Sequence, residues 1–438
     1  MLCAKPIIIL KNFNKLNTNL SWSFSEFERA ETTMMSHSYH RYPAKFIPQL
    51  VNKLVSQYTK EGDIVCDPFG GCGTTLVQSK VGGRKSIGFD INPVAKLITD
   101  TKTQAISPVK LTEAREFFIK KHEQLRNRKS NVYHNERIYY WFDKKIVQDL
   151  DVIYVSILTI KDIETRRFFL CAFSHVLKNC SRWLMKSIKP TIDQNKDFPD
   201  PEETFLRHLD SMIKKNDVFY TSLKESGRLK IPAKMKLWNS TKKLPLKDKS
   251  IDLIVTSPPY VTSYEYADLH QLSLLWFGDD RKHFKNWDKV VNEFFNFKKQ
   301  FIGSSHKKVV HKEFKSKIAT DIVTKLEAKN RSLSQSVASY FNDMQDAFSE
   351  MYRILKKGKK ACVIIGNTEL LGVPILNAQV ATEQMINLGF IKTKIIKREV
   401  SNKMITPWRD KDTGKFTGHT NHNKKRAYEY EYVLIMQK

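Results

Sequence analysis

The chain is short of acidic residues: 46 Asp and Glu stand against 74 Lys and Arg over 438 residues, a formal charge of +28. That imbalance favours a polyanionic partner, nucleic acid foremost. A protein from an AT-rich genome, where Lys and Asn replace other residues, has the same composition, so charge by itself leaves both readings open. No apolar run approaches the ~18 residues of a membrane-spanning helix. The short apolar stretch Pro6–Leu10 lacks the length and cleavage site of a signal peptide. The expectation is a cytoplasmic, nucleoid-associated protein with no membrane partner. Of the six cysteines, Cys3, Cys66, Cys72, Cys171, Cys180 and Cys362, no two form a CxxC pair, and none falls with histidines at zinc spacing. No metal is expected. Cys66 and Cys362 lie within apolar strand patterns and read as small core residues in a reducing compartment.

A Gly-Lys-Ser/Thr phosphate loop is also missing. In its place Asp63-Ile64-Val65-Cys66-Asp67-Pro68-Phe69-Gly70-Gly71-Cys72-Gly73-Thr74-Thr75 reads as a strand, a Gly-rich turn and a helix. Glycines there let backbone approach a ligand closely. A second strand, Lys85–Asp90, ends in an acid placed to bind ribose hydroxyls. Taken alone, such a cluster is equally an ordinary strand–helix turn, with Asp67 capping the loop and Asp90 the helix that opens at Asn92-Pro93. Far downstream, the buried-strand pattern Ile251–Thr256 runs into Ser257-Pro258-Pro259-Tyr260. Two prolines fix φ twice and donate no backbone hydrogen bond. The Ser257 and Pro258 carbonyls therefore stand as rigid acceptors beside a flat ring, which suits a flipped nucleobase bearing an exocyclic amine. The bland alternative is that the prolines end a strand and Tyr260 is a rim aromatic.

The two motifs together resemble those of the S-adenosylmethionine-dependent DNA amino-methyltransferases. Asp67–Thr75 is similar to that family's cofactor loop, and Thr256–Tyr260 to its catalytic loop in the Ser form of cytosine-N4 enzymes. His37-Ser38-Tyr39-His40-Arg41-Tyr42-Pro43-Ala44-Lys45-Phe46-Ile47-Pro48 resembles the segment over the methionine end of the cofactor, and Lys424–Ile435 the closing strand. The resemblance implies an α/β fold, a Rossmann-like methyltransferase sheet with helices on both faces. It implies S-adenosylmethionine as cofactor, held by Asp67, Pro68, Phe69, Gly70, Gly71, Gly73, Thr74, Asp90 and Asn239. It implies catalysis by Ser257, Pro258, Pro259 and Tyr260. Asn239 stands where the family usually has Asp, near the cofactor's adenine.

Along the chain, residues 1–107 read as the cofactor-loop part of the catalytic domain and 229–438 as its catalytic-loop part. Between them, 108–228 is rich in Lys, Arg, Glu and aromatics at helical spacing, a mainly helical insertion and a candidate target-recognition region. A second basic insertion spans 280–332, with Lys298-Lys299, His306-Lys307-Lys308 and Lys312. The pattern further predicts a helix from Val337 to Leu355 closing on Lys356-Lys357-Gly358, and a helix near Pro374–Leu388. The cofactor loop precedes the catalytic loop, whereas many cytosine-N4 enzymes are permuted the other way. Lys424, Lys425 and Arg426, with Trp408, Arg409, Lys411 and Lys415, lie in a polar loop expected to reach DNA. The expected function is site-specific methylation of cytosine N4 in double-stranded DNA, alongside a cognate restriction endonuclease. Adenine-N6 methylation, RNA methylation and a retired, DNA-binding methyltransferase fold are the alternatives.

Overall fold

A parallel strand covered on both faces must be apolar along its length. Ile251–Thr256 meets that demand, with every residue buried. In the computed structural model it is β4, the centre of a seven-stranded sheet. The structure describes the chain apart from residues 1–5, 44, 128–133, 262–265, 281, 303, 305–312, 401–407, 412–416, 419 and 427–429. Cys3, Ala44, His306, Lys307, Lys308, Lys312 and Lys415 thus lie outside the described residues. The strands are β1 (Ile64–Asp67), β2 (Lys85–Asp90), β3 (Ala233–Leu237), β4, β5 (Leu355–Ile365), β6 (Thr368–Leu370), β7 (Val373–Ile375), β8 (Ile391–Glu399), β9 (Trp408–Asp410), β10 (Lys424–Arg426) and β11 (Tyr430–Gln437).

The large sheet runs β3-β2-β1-β4-β5-β11-β8. Its first five strands are parallel, and β11 runs antiparallel to both β5 and β8. This is the Rossmann-like methyltransferase sheet expected from the motifs. Alternate side chains feed two cores. Val65, Leu253, Val255, Cys362 and Ile364 face the helix Pro48–Tyr58, which presents Leu50, Val51, Leu54 and Val55. Cys66, Ile254, Ala361, Val363 and Ile365 face the helices Lys317–Glu327, Arg331–Ile354 and Asn377–Asn387. The period of two along each strand is what puts helices on both faces.

The chain leaves this sheet between β2 and β3 for five helices: Pro108–Leu125, Glu136–Trp141, Lys144–Leu158, Ile163–Cys180 and Pro201–Glu225. They do not form a separate body. Their core of Phe118, Phe168, Phe169, Phe173, Trp183 and Phe205 is continuous with Cys72 of the Gly-rich turn, Val94 and Ile98 of the helix Pro93–Thr103, and Leu272–Phe277 beyond the catalytic loop. A buried ion cluster pins the insertion to that last helix. His134 Nε2 lies 2.7 Å from Asp151, and its Nδ1 lies 3.6 Å from Asp279.

Three boundaries differ from expectation, the first being the start of the long helix, which begins at Arg331 and not Val337, capped by Asn330 Oδ1 accepting the Leu333 N–H. The long helix stops at Ile354, and Lys356–Gly358 already belong to β5. Lys356 is drawn there by Asp252, whose carboxylate accepts from its ammonium at 2.8 Å. Pro374 lies in the β6–β7 hairpin, and the following helix starts at Asn377, where Asn367 Oδ1 accepts the Ala378 N–H. A proline fixed in a hairpin strand cannot also open that helix three residues on.

Burial opposes the charge on His134, but its hydrogen bond to Asp151 and the nearby carboxylate of Asp279 outweigh this and raise its pKa to about 9. A raised folded pKa stabilises fully below the ordinary value of 6.5 and is lost as pH climbs through about 9. Denaturant unfolding should therefore show stability falling across that window. His134→Gln should flatten the fall; an equally steep fall in the variant would contradict the assignment.

Candidate active site

The strand order reverses between β1 and β4, the place where open α/β sheets bind ligands beyond their carboxyl ends. A cleft of about 810 Å³, counting its open mouth, lies there. Four strand ends supply its walls. After β1 come Asp67, Pro68, Phe69, Gly70, Gly71, Cys72 and Thr74. After β2 come Asp90 and Ile91, after β3 Trp238, Asn239 and Ser240, and after β4 Ser257 and Pro259. Of the residues singled out in the sequence, Asp67, Pro68, Phe69, Gly70, Gly71, Thr74, Asp90, Asn239, Ser257 and Pro259 thus meet in one cleft, across nearly 200 residues of chain, and Gly73, Pro258 and Tyr260 do not.

The Gly-rich turn is held by its neighbours. Gly70 N–H donates to the Phe89 carbonyl at 2.9 Å, and Gly73 N–H to the Gly70 carbonyl at 2.7 Å. Gly73 does not line the cleft. It is the left-handed residue, φ +74°, that opens the helix Thr74–Val81, and a Cβ there would meet Thr99 at 2.5 Å. Its need is conformational and steric. Lys102, fully buried, donates to the Cys72 carbonyl at 2.7 Å, and Thr99 Oγ1 to that of Gly71 at 2.9 Å.

Two carboxylates face the cleft. Asp90 accepts the Gly71 N–H on Oδ2 at 3.0 Å and the Asn92 N–H on Oδ1 at 2.8 Å. Asp67 Oδ1 accepts from Thr256 Oγ1 at 2.6 Å and from the Phe69 N–H at 3.0 Å. Burial drives both pKa values up to about 6, against the hydrogen bonds that favour the charged forms. Two partly desolvated acids in an open cleft are matched to donors, and one molecule bearing both an ammonium and vicinal hydroxyls would satisfy them together. Ile91 and Trp238, the latter 42% exposed, add apolar walls for a flat ring. Asp67, Asp90, Ile91, Trp238 and Asn239 together suit a ligand that carries an ammonium, vicinal hydroxyls and a flat ring, as S-adenosylmethionine does. Asn239 Oδ1 is already engaged by the N–H and hydroxyl of Thr241 at 2.9 and 2.8 Å, so only its amide nitrogen is left to face a ligand.

The segment before the first long helix also closes on the cleft. Tyr42, Lys45 and Phe46 line it, and a Cβ on Gly71 would touch the Tyr42 ring at 3.3 Å. His40 lies off it, buried, with its ring nitrogens on the Arg41 carbonyl and Ser174 Oγ at 2.8 and 3.0 Å. Sequence reasoning missed Gln300, Phe301 and Ile302, which complete the wall from the second basic insertion. Read for its lysines, that insertion carries no pattern that would mark these residues. Pro258 and Tyr260 do not line the cleft. Pro258 is buried, and the Tyr260 ring packs beside Gly366 with its hydroxyl donating to Glu431 at 3.2 Å. Lys424, Lys425 and Arg426 form β10, paired antiparallel with Trp408–Asp410 in a separate ribbon, and the Lys424 ammonium lies 5.3 Å over the Trp408 ring. Among the described residues no group of His, Cys, Asp and Glu is arranged to hold a metal.

Sheet order and cleft define a methyltransferase fold with a nucleoside-type cofactor site. The resemblance to the DNA amino-methyltransferases holds on comparison: residues 10–100 match the N6/N4 family model described as DNA methylase. Over 94% of both chains the protein is 26% identical to Type II methyltransferase M.MvaI of Kocuria varians. It is 23% identical to M.BsoBI of Geobacillus stearothermophilus over 84% of this chain and 81% of that one. It is 25% identical to M.MjaII of Methanocaldococcus jannaschii over 58% and 65%. A solved S-adenosylmethionine-dependent methyltransferase from Methanosarcina mazei aligns with 91% of this chain and 98% of its own, but at 10% identity and a TM-score of 0.29, too slight a likeness to bear on function. S-adenosylmethionine is the cofactor.

Asp90→Ala should weaken cofactor binding by about 1.5–3 kcal/mol, the scale of hydrogen bonds to a charged group. Because a bound donor favours the carboxylate, affinity in the parent protein should also fall as pH drops through about 6, with protons released on binding near that pH. Calorimetry in buffers of different ionisation enthalpy reads both. Unchanged affinity in a folded Asp90→Ala protein would remove Asp90 from the site.

Proposed function

We propose that this protein is a site-specific DNA methyltransferase that transfers a methyl group from S-adenosylmethionine to the exocyclic N4 of a flipped cytosine. The observation that carries the reading is the shared cleft: Ser257 and Pro259 of the rigid loop line the same wall system as Asp67 and Asp90. S-adenosylmethionine, when bound, supplies an electrophilic methyl on a cationic sulfur. The protein's own task is to present the amine. That nitrogen is conjugated into its ring and is a poor nucleophile. Ser257 Oγ, on the cleft wall, accepts from one of its protons, and the Pro258 carbonyl, which lies behind that wall and would have to be uncovered as the base enters, accepts from the other; this draws the nitrogen toward sp³ and frees the lone pair. As the N–C bond forms the methyl–sulfur bond breaks, S-adenosylhomocysteine is the leaving group, and the proton then in excess on the nitrogen leaves to water. No cysteine nucleophile is required, and positioning supplies most of the rate.

Ser at position 257, where adenine-specific relatives begin the loop with Asp or Asn, supports cytosine as the target base. The likeness to Type II methyltransferases supports a place beside a cognate restriction endonuclease. DNA is the substrate this reading requires, and the charge of +28 supports a phosphate-dominated footprint. The helical insertion 108–228 is proposed as the target-recognition region.

Nucleoside mass spectrometry of unmethylated plasmid DNA after incubation with labelled cofactor should find N4-methylcytosine. N6-methyladenine would overturn the base while leaving the mechanism, and label in RNA alone would overturn the substrate class. Replacing Lys424, Lys425 and Arg426 by Gln should lower DNA affinity without changing cofactor binding. The slope of log affinity against log salt should shrink by about one unit for each phosphate that is no longer neutralised. An unchanged slope would take the ribbon out of the DNA footprint.

A further inference from the structure

Tyr260 ends the rigid loop, yet it is tied to the far side of the sheet. Its hydroxyl donates to Glu431 Oε2 at 3.2 Å. Glu431 belongs to β11, and its other oxygen accepts from Arg398 of β8 at 2.5 Å. The Arg398 side chain is only 3% exposed and also donates to the Ser23 carbonyl at 3.2 Å. The hydroxyl end of the ring rests on Gly366, the residue after β5, where a Cβ would come within 3.1 Å of a ring carbon. Three segments distant in sequence therefore fix one ring, by a hydrogen bond, a guanidinium behind that bond's acceptor, and a backbone with no side chain.

To fill space alone a phenylalanine would serve; here the hydroxyl meets a carboxylate that is itself backed by a guanidinium. A ring meant to receive a flipped base gains from being held before DNA arrives, because the ordering cost is then met on folding and not on binding. We propose that Glu431 is a positioning residue for base capture: anchored by Arg398, it holds the Tyr260 hydroxyl so that the ring stands in place beside the Ser257 and Pro258 acceptors. The inference rests on the methyltransferase reading above. It adds two residues of the closing strands, neither of which lines the cleft, to the determinants of turnover.

The test uses the full chain, S-adenosylmethionine and unmethylated plasmid DNA. Tyr260→Phe keeps the ring and removes only the donor. It should lower kcat about tenfold, the scale of one hydrogen bond to a charged group, with cofactor affinity unchanged. Glu431→Ala should lower kcat similarly, and the double variant should be no worse than either single, since both remove the same bond. Glu431→Gln, which keeps an acceptor, should stay within about threefold of the wild type. Full kcat in Tyr260→Phe would overturn the proposal even if Glu431→Ala, which leaves Arg398 buried without its partner, fails to fold. Additive losses in the double variant would overturn it as well. If the wild-type protein methylates nothing under these conditions, the methyltransferase reading fails instead, and the two failures are told apart by that control.

Discussion

One carboxylate organises the cofactor half of the site. Asp90 closes β2, and its two oxygens accept the backbone N–H groups of Gly71 and Asn92. The first bond ties the Gly-rich turn after β1 to the end of β2. The second fixes the start of the helix Pro93–Thr103, whose Asn92 cap also contacts the His270 ring at 2.9 Å. His270 directly precedes the helix Gln271–Asp279 that follows the catalytic loop. A single acid therefore sets the relative position of two cofactor loops and, through one more hydrogen bond, the element beyond the catalytic loop. Its raised pKa is the electrostatic trace of this arrangement: the group is buried where a carboxylate is costly, and two backbone donors only partly offset the cost.

The catalytic half is joined at a second point. Thr256, the last residue of β4, donates to Asp67, the last residue of β1. Adjacent parallel strands thus share a side-chain bond at their carboxyl ends, where both loops depart. The prolines that follow keep the backbone from relaxing away from that register. Shape in this cleft is set by bonds between strand ends, so its precision comes from the sheet and not from the loops. The helical insertion reinforces the same corner from outside, because Cys72 of the turn is part of its core.

The strands, the Gly-rich turn, the acid at 90 and the Ser-Pro-Pro-Tyr loop are legible in the sequence, because each is a local signal: a period of two, a glycine run, a proline pair. The location of the cleft follows from strand order. What is not legible depends on contacts between distant segments. Gln300–Ile302 reach the cofactor wall from a stretch whose composition speaks only of charge, and Glu431 meets Tyr260 across 171 positions. The end of the long helix is hidden because Lys356–Gly358 looks like a basic last turn with a glycine stop, whereas the strand bulges through it: β4 pairs at Leu355 and again from Lys360, Asp252 holds Lys356, and the Gly358 N–H donates to the Lys438 carbonyl. Gly73 looks like a ligand contact, but its left-handed φ and the nearness of Thr99 require glycine for the turn itself.

The central claim is that one cleft brings cofactor and target amine together. A crystal structure with S-adenosylhomocysteine and a DNA duplex tests it most directly. Ribose hydroxyls are expected on Asp90, the amino group on Asp67, and the sulfur facing a flipped cytosine whose amine meets Ser257 and Pro258, with the reacting positions about 3–3.5 Å apart when allowance is made for the transferred methyl. A cofactor seated away from Asp90, or a flipped base in a pocket that does not include Ser257, would contradict it.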